Sequence, residues 1–255
     1  MITLLLILLL LSQPAVSQIY SDEALYKGYL TDDMKLWKEY IISADWDRMG
    51  NKERVRLLNY EYGYIAYALS AKDPDVKQLL ANFNKHLNSM DGKMEEATRL
   101  TYLSAAASYA ISLNKFTIAN NAPKTFNYAD EALTTDPDNP LTLTLRGSIY
   151  FYCPKSFGGD KKMALRYLEK AEQLFQQKGD TINNWNYLST QMITVQCLDK
   201  IGNKQEAIRK CRDILQREPD YAYIRDCYLP ELLGNKPRRK SAGGNVAASI
   251  VSGLE

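Results

Sequence analysis

Side chains able to do chemistry are sparse in this chain, and their spacing sets narrow limits on what they could do. The only imidazole, His86, lies in the polar run Asn82-Phe83-Asn84-Lys85-His86. Any Ser-His-Asp or Cys-His mechanism would have to use it, and a general base needs a positioned partner that no neighbouring residue supplies. It reads as an exposed residue on an amphipathic helix. The four cysteines, Cys153, Cys197, Cys211 and Cys227, form no C-x-x-C pair, so a zinc site lacks both thiolate spacing and imidazoles, and neither metal nor cofactor is expected. Cys197 and Cys211 stand either side of a predicted helical turn centred on Lys204. Antiparallel helices could bring them together as a disulfide, or they serve as small buried residues. Paired acids such as Asp32-Asp33 and Glu95-Glu96 fall at helix starts, where they stabilise the macrodipole. A carboxylate-based glycosidase stays open as a third-ranked reading, because its two acids need not be close in sequence. The loop Phe157-Gly158-Gly159-Asp160-Lys161-Lys162 has neither the spacing nor the preceding strand of a phosphate cradle. Its glycines read as a tight turn and Asp160 as a helix cap. No catalytic residue is assigned, and the expectation is a binding protein.

Tyrosine is the richer signal, at 18 copies against 6 Phe and 3 Trp. In Tyr60-Glu61-Tyr62-Gly63-Tyr64-Ile65-Ala66-Tyr67, residues 60, 64 and 67 share one helical face. Tyrosine offers a large contact area with a hydroxyl at its tip, which suits recognition of peptides or sugars. The alternative is that these rings fill space between helices.

The elements that carry these residues read as helix after helix. Thr31-Asp32-Asp33 opens a leading helix bearing Met34, Trp37, Tyr40 and Ile41. Val55, Leu58, Tyr62, Ile65 and Leu69 continue the period, Lys72-Asp73-Pro74 breaks it, and Val76 to Leu87 resumes it. Asp91-Gly92 marks a turn before a long apolar helix over 94–118. Asn121-Ala122-Pro123 opens the next helix, which stops at Asp136-Pro137-Asp138-Asn139-Pro140. Gly147 and Tyr150 follow on one helix, with Ala164, Leu168 and Ala171 on its partner. A later pair ends in Ala207, Cys211, Ile214 and Pro219. The sequence predicts about four helical pairs over 50–218, one leading helix, and a capping helix from Tyr221 to Leu233.

Small residues facing large ones across a hairpin, closed by proline, form a pattern that resembles the tetratricopeptide repeat. Ala164 and Ala207 lie 43 residues apart, against the family's 34, and the loop from Cys153 to Gly159 takes up part of the excess. The stretch Pro154, Phe157-Gly158-Gly159-Asp160, Ala164, Ala171 is also similar to a loop in the tetratricopeptide component of tripartite solute transporters. The resemblance implies an all-α, right-handed solenoid of stacked helix–turn–helix units, with the first helix of each pair on a concave face. By that resemblance the inner surface includes Tyr60, Tyr64, Tyr67, Asn114, Phe151, Tyr152, Met192 and Gln196. A peptide or partner protein is the expected ligand, and a solute-binding or transport accessory role is the runner-up.

Residues 1–17 read as a separate leader. Leu4 to Leu11 is too short to span a bilayer, and Ala15-Val16-Ser17 resembles a cleavage site, so a signal peptide and a periplasmic or secreted location are expected. Residues 18–235 form the helical domain. Residues 236–255, which begin with Lys236, Arg238, Arg239 and Lys240, read as a basic, Gly/Ser-rich tail. With those twenty residues set aside, 32 basic and 30 acidic residues become 28 and 29, a near-neutral body with no electrostatic case for nucleic acid.

Overall fold

The computed structural model describes residues 19–237. The expected leader and nearly all of the basic tail therefore lie outside the described residues. Within them the chain is all-α, with eleven α-helices and no strand. Two short helices come first, α1 (Asp22–Thr31) and α2 (Lys35–Ser43). Eight longer ones follow: α3 (Asn51–Ala71), α4 (Val76–Ser89), α5 (Glu96–Leu113), α6 (Ile118–Thr135), α7 (Pro140–Tyr152), α8 (Lys161–Gln177), α9 (Trp185–Lys200) and α10 (Lys204–Arg217). A π-turn over Ile224–Tyr228 and the short α11 (Leu229–Leu232) end the described chain.

Local chemistry sets the boundaries. Lys72 adopts a left-handed conformation at the end of α3. Asn139 accepts a bond from the Thr142 amide at 3.0 Å, with Pro140 in the first turn of α7, where its missing N–H costs nothing. Asp160 accepts from Lys162 and Met163 at 2.9 and 3.0 Å and starts α8. Gly158 before it has φ 86°, so the loop is a turn and cap, as its residues suggest.

Consecutive helices pack as antiparallel hairpins, and α3, α5, α7 and α9 also touch in succession. Burial separates the two sets. α9 buries 13 of its 16 residues, whereas α10 buries only the stripe Ala207, Ile208, Cys211 and Ile214. A helix buried nearly all round is covered on several sides, and one with a narrow apolar stripe lies on the outside. Between α7 and α8 the approach is close: a Cβ on Gly147 would sit 2.7 Å from Leu168 Cγ and 3.2 Å from the Ala164 carbonyl oxygen.

Contacts distant in sequence join the first and last parts of the described chain. The Tyr26 hydroxyl on α1 donates to Glu218 at 2.8 Å, Tyr29 pairs with Tyr221, and the rings of Trp37 and Trp185 meet edge-on at 5.3 Å. Gly63 permits this meeting, because a Cβ there would stand 2.7 Å from atoms of both tryptophans. The core is thus an aromatic seam from α1 and α2 across α3 to α9.

Several boundaries differ from the sequence reading. There are two leading helices rather than one, since Ser21 caps a separate α1 through the Ala24 amide at 3.2 Å. The long helix ends at Leu113 rather than 118. Asn114 turns extended (φ −149°) and its side chain accepts from the Phe116 amide at 3.1 Å. Pro123 lies inside α6 rather than at its start; the backbone bond it cannot make is lost on an exposed stretch, where water can replace it. The expected capping helix is split by the π-turn, which precedes Pro230. Among the described residues no helix is long and apolar enough to cross a membrane.

Candidate functional site

The hairpin geometry carries the C-terminal end of α7, both sides of the α9–α10 turn and the last described segment to one place. With the start of α8 they line an open cavity of about 410 Å³. Its apolar walls are Phe151, Tyr152, Tyr228 and Leu232, and its polar ones Lys161, Gln196, Asp199, Lys200, Lys204 and Glu231. Phe151 and Tyr152 stand nearly perpendicular with centroids 4.7 Å apart. The Tyr152 hydroxyl donates to Gln196 Oε1 at 2.9 Å, which fixes both side chains across α7 and α9. Lys161 Nζ lies 5.4 Å from the Phe151 ring centroid, a cation–π distance. Tyr228 donates to Asp199 at 3.3 Å. Burial first, and then the Asp199 carboxylate, push the Tyr228 hydroxyl well above the ordinary tyrosine range, so it stays a donor. Asp199 also has Lys200 Nζ at 3.9 Å. The arrangement offers three ammonium groups beside three aromatic rings, with one of the two acids already engaged.

A second cleft, of about 650 Å³, opens at the other end of the inner helices, where the first turns of α3, α5, α7 and α9 converge. Amides dominate there: Asn59 Oδ1 accepts from Asn186 Nδ2 at 2.8 Å and from the Tyr102 hydroxyl at 3.2 Å. Lys52 and Arg56 are balanced by Asp22, Glu53 and Glu95.

The eight residues expected to form one inner surface are split among different surroundings. Phe151, Tyr152 and Gln196 meet in the first cavity. Tyr60 is buried edge-on against Trp37 at 4.9 Å, donates to Asp22 at 2.9 Å, and lies at the wall of the second cleft. Tyr64 is buried and donates to Asp73 at 2.8 Å, a carboxylate that also holds Lys38 at 2.9 Å. Tyr67 is half-buried against Tyr64 at 5.7 Å. Met192 is fully buried in the core. Asn114 is exposed in the α5–α6 turn and acts as its cap. The first-cavity residues that the sequence reading missed, Lys161, Asp199, Lys200, Lys204, Tyr228 and Glu231, sit at helix ends. Their one sequence signal was a lysine at both rims of successive turns.

His86 is not the exposed residue expected. Its Nδ1 lies 2.9 and 3.1 Å from the two oxygens of Glu61, a carboxylate buried to 2 % exposure, and its ring stacks on Trp46 at 3.9 Å. Burial pushes the Glu61 carboxyl above the ordinary range, and the bond and charge of His86 pull the other way. The other buried carboxylate among the described residues, Glu172, is held by Lys210 at 2.6 Å and by Thr194 and Gln191. Each acid therefore ties helices together. Cys197 and Cys211 are free, buried thiols that face different clusters: Cys197 packs with Phe151, Ala164, Leu168 and Ile193, and Cys211 with the main core. Burial pushes both thiols up to about 12.

No family model, no curated protein and no solved structure matches the chain.

Proposed function

We propose that this chain is an exported helical-repeat scaffold, a right-handed solenoid of tetratricopeptide type, that holds a segment of a partner protein in the first cavity. The supporting observation is the juxtaposition of Phe151, Tyr152 and Tyr228 with Lys161, Lys200 and Lys204 around about 410 Å³. That volume lies in the range of sites that take small ligands or a few side chains. Rings at the wall suit an apolar anchor residue, and ammonium groups at the rim suit carboxylates beside it, which raise encounter rate and specificity. A partner segment with one aromatic or aliphatic side chain flanked by Asp or Glu is the fitting class. Nothing in this reading requires catalysis.

The test is fluorescence anisotropy with labelled acidic peptides that carry a central Phe or Leu, compared with scrambled and basic controls. Lys200→Glu with Lys204→Glu should weaken binding at least tenfold, and Tyr152→Ala should weaken it with no change in far-UV circular dichroism. Binding that ignores these changes would falsify the reading. Export rests on the leader and is tested by sequencing the amino terminus of the mature chain, which should begin at Gln18. A solute-binding role would draw instead on the second cleft, whose paired amides Asn59 and Asn186 suit a polar, uncharged compound.

A further inference from the structure

Among the described residues, the exposed apolar side chains Leu113, Phe116, Ile118 and Phe157 gather at one end of the molecule, while Ile19, Ile42 and Ile182 are exposed away from it. Because the helices from α3 to α10 alternate in direction, the turns α5–α6, α7–α8 and α9–α10 share that end, and two cavities show that they are neighbours. A small apolar pocket of about 50 Å³ is lined by Ile118, Ala122 and Phe126 of α6 together with Cys153 and Phe157 of the α7–α8 loop. The first cavity joins that same loop to the α9–α10 turn. At the tips of the first two turns stand Phe116, 98 % exposed, and Phe157, 64 % exposed, with Leu113 and Ile118 beside them also open to water. Each phenylalanine lies in a short 3₁₀ turn that begins with an exposed lysine, Lys115-Phe116 and Lys155-Ser156-Phe157.

Lysines gather on the same turns. These three turns carry exposed Lys115, Lys155, Lys161, Lys162, Lys200 and Lys204. Their two acids are occupied, Asp160 by the first amides of α8 and Asp199 by Tyr228. The turns at the opposite end hold Asp91, Glu95, Glu96, Asp136, Asp138 and Asp180 against Lys93 and Lys178. The α3–α4 turn at the same end carries Asp73 and Asp75, both paired with Lys38, so the unbalanced lysines are confined to the three turns between α5 and α10. Residues 231 and 232 line the first cavity, so the last described helix lies beside these turns, and the sequence goes on with Arg238, Arg239 and Lys240.

We propose that this patch of three basic turns docks on a bilayer surface bearing anionic headgroups, with Phe116 and Phe157 entering the interfacial layer and the surrounding lysines on phosphates. A fully exposed ring on a projecting turn gains nothing in water, and apolar side chains rimmed by Lys are what an interfacial anchor needs. Lysines near an anionic surface add roughly fivefold each to partitioning, and their four-carbon stems follow the rings toward the acyl boundary. A protein partner fits this face less well. The recess that Phe157 lines has about the room of one or two waters, too little for a partner's side chain, and Phe116 is almost wholly open to water. The two readings share Lys161, Lys200 and Lys204, so the test relies on Lys115, Phe116, Lys155 and Phe157, none of which lines the first cavity.

The experiment uses the chain as purified after export, sedimented with vesicles of phosphatidylcholine alone or mixed with phosphatidylglycerol. Binding should require phosphatidylglycerol and fall steeply with salt. Phe116→Ser with Phe157→Ser should reduce it more than tenfold, and Lys115→Glu with Lys155→Glu should do so as well. All four side chains are exposed, so melting temperature should stay unchanged. Phe116→Trp should shift its emission to shorter wavelength with the anionic vesicles and not with the neutral ones. The proposal is overturned by a chain that ignores anionic vesicles, or by a double Phe variant that binds as the parent does. Loss of binding on changing Arg238, Arg239 and Lys240 to Ser, with the Phe pair without effect, would also overturn it by assigning docking to the tail.

Discussion

Helices α3 and α7 carry similar aromatic patches that end in different surroundings. On α3, Tyr60, Tyr62 and Tyr64 are all buried. On α7, Phe151 is buried beside Cys197 yet, with the half-buried Tyr152, borders an open cavity. The difference comes from what packs on each. The α1–α2 hairpin and the start of α9 close over α3, bringing Trp37 and Trp185 against Gly63. At the C-terminal end of α7 the covering segment is the short π-turn and α11, which leave room between Tyr152, Tyr228 and Leu232. An aromatic helix face thus becomes core or site according to the reach of the next element, and its own pattern does not decide which.

The comparison can be broken most forcefully at the seam. Trp185→Ala should cost about 3–5 kcal/mol, the range for removing a buried large aromatic, read as the shift of a urea unfolding curve. Tyr152→Ala on the open side should cost far less. Equal losses would mean that the α7 patch is core as well. Gly63→Ala is the subtler probe of the same junction. Its Cβ would meet both indoles at 2.7 Å, and overpacking of this kind costs about 1–3 kcal/mol.

A smaller effect sharpens how the seam's flank is held. Glu61 holds its proton more tightly folded than unfolded, because burial outweighs the His86 bond. Between the ordinary value of 4.5 and its raised folded value, the native state binds more protons than the unfolded one. This group's contribution is therefore full below 4.5 and is lost as pH rises through the folded value. Parent stability should fall with pH relative to Glu61→Gln across that window. Parallel pH profiles for the two proteins would refute the assignment. The smallest effect concerns the cysteines. With Cys197 and Cys211 protonated and buried, a thiol reagent at neutral pH should label neither until the protein is unfolded. Rapid labelling of the native chain would show that the α7–α9 side is open further than the cavity.

Much of the architecture was legible because helices announce themselves locally. The stripes Val76 to Leu87 and Ala164 to Ala171, and the breakers at Lys72-Asp73-Pro74 and Gly158-Gly159, placed four hairpins between Asn51 and Arg217 at nearly their true bounds. Where the reading slipped, a side chain had settled the matter by a bond that composition does not reveal. Asn114 caps the α5–α6 turn and does not line an inner face, and His86 finds Glu61 from 25 residues away. Of the eight candidate binding residues, the three that meet in one cavity lie on neighbouring inner helices, α7 and α9, at the same height.

By itself the sequence determined the all-helical composition, the turn positions and the apolar stripe of each outer helix, since these depend on 3.6-residue periodicity and on side chains that cap or break within a few positions. It also held the lysines and phenylalanines of the turn tips, though not their common end. Only the tertiary structure decided that the first hairpin folds onto α9, that the tyrosines of α3 are interior, and that the α7 aromatics, three lysines and Tyr228 share one cavity. Those outcomes depend on contacts up to 192 residues apart in sequence, which follow from how far each element reaches over the next.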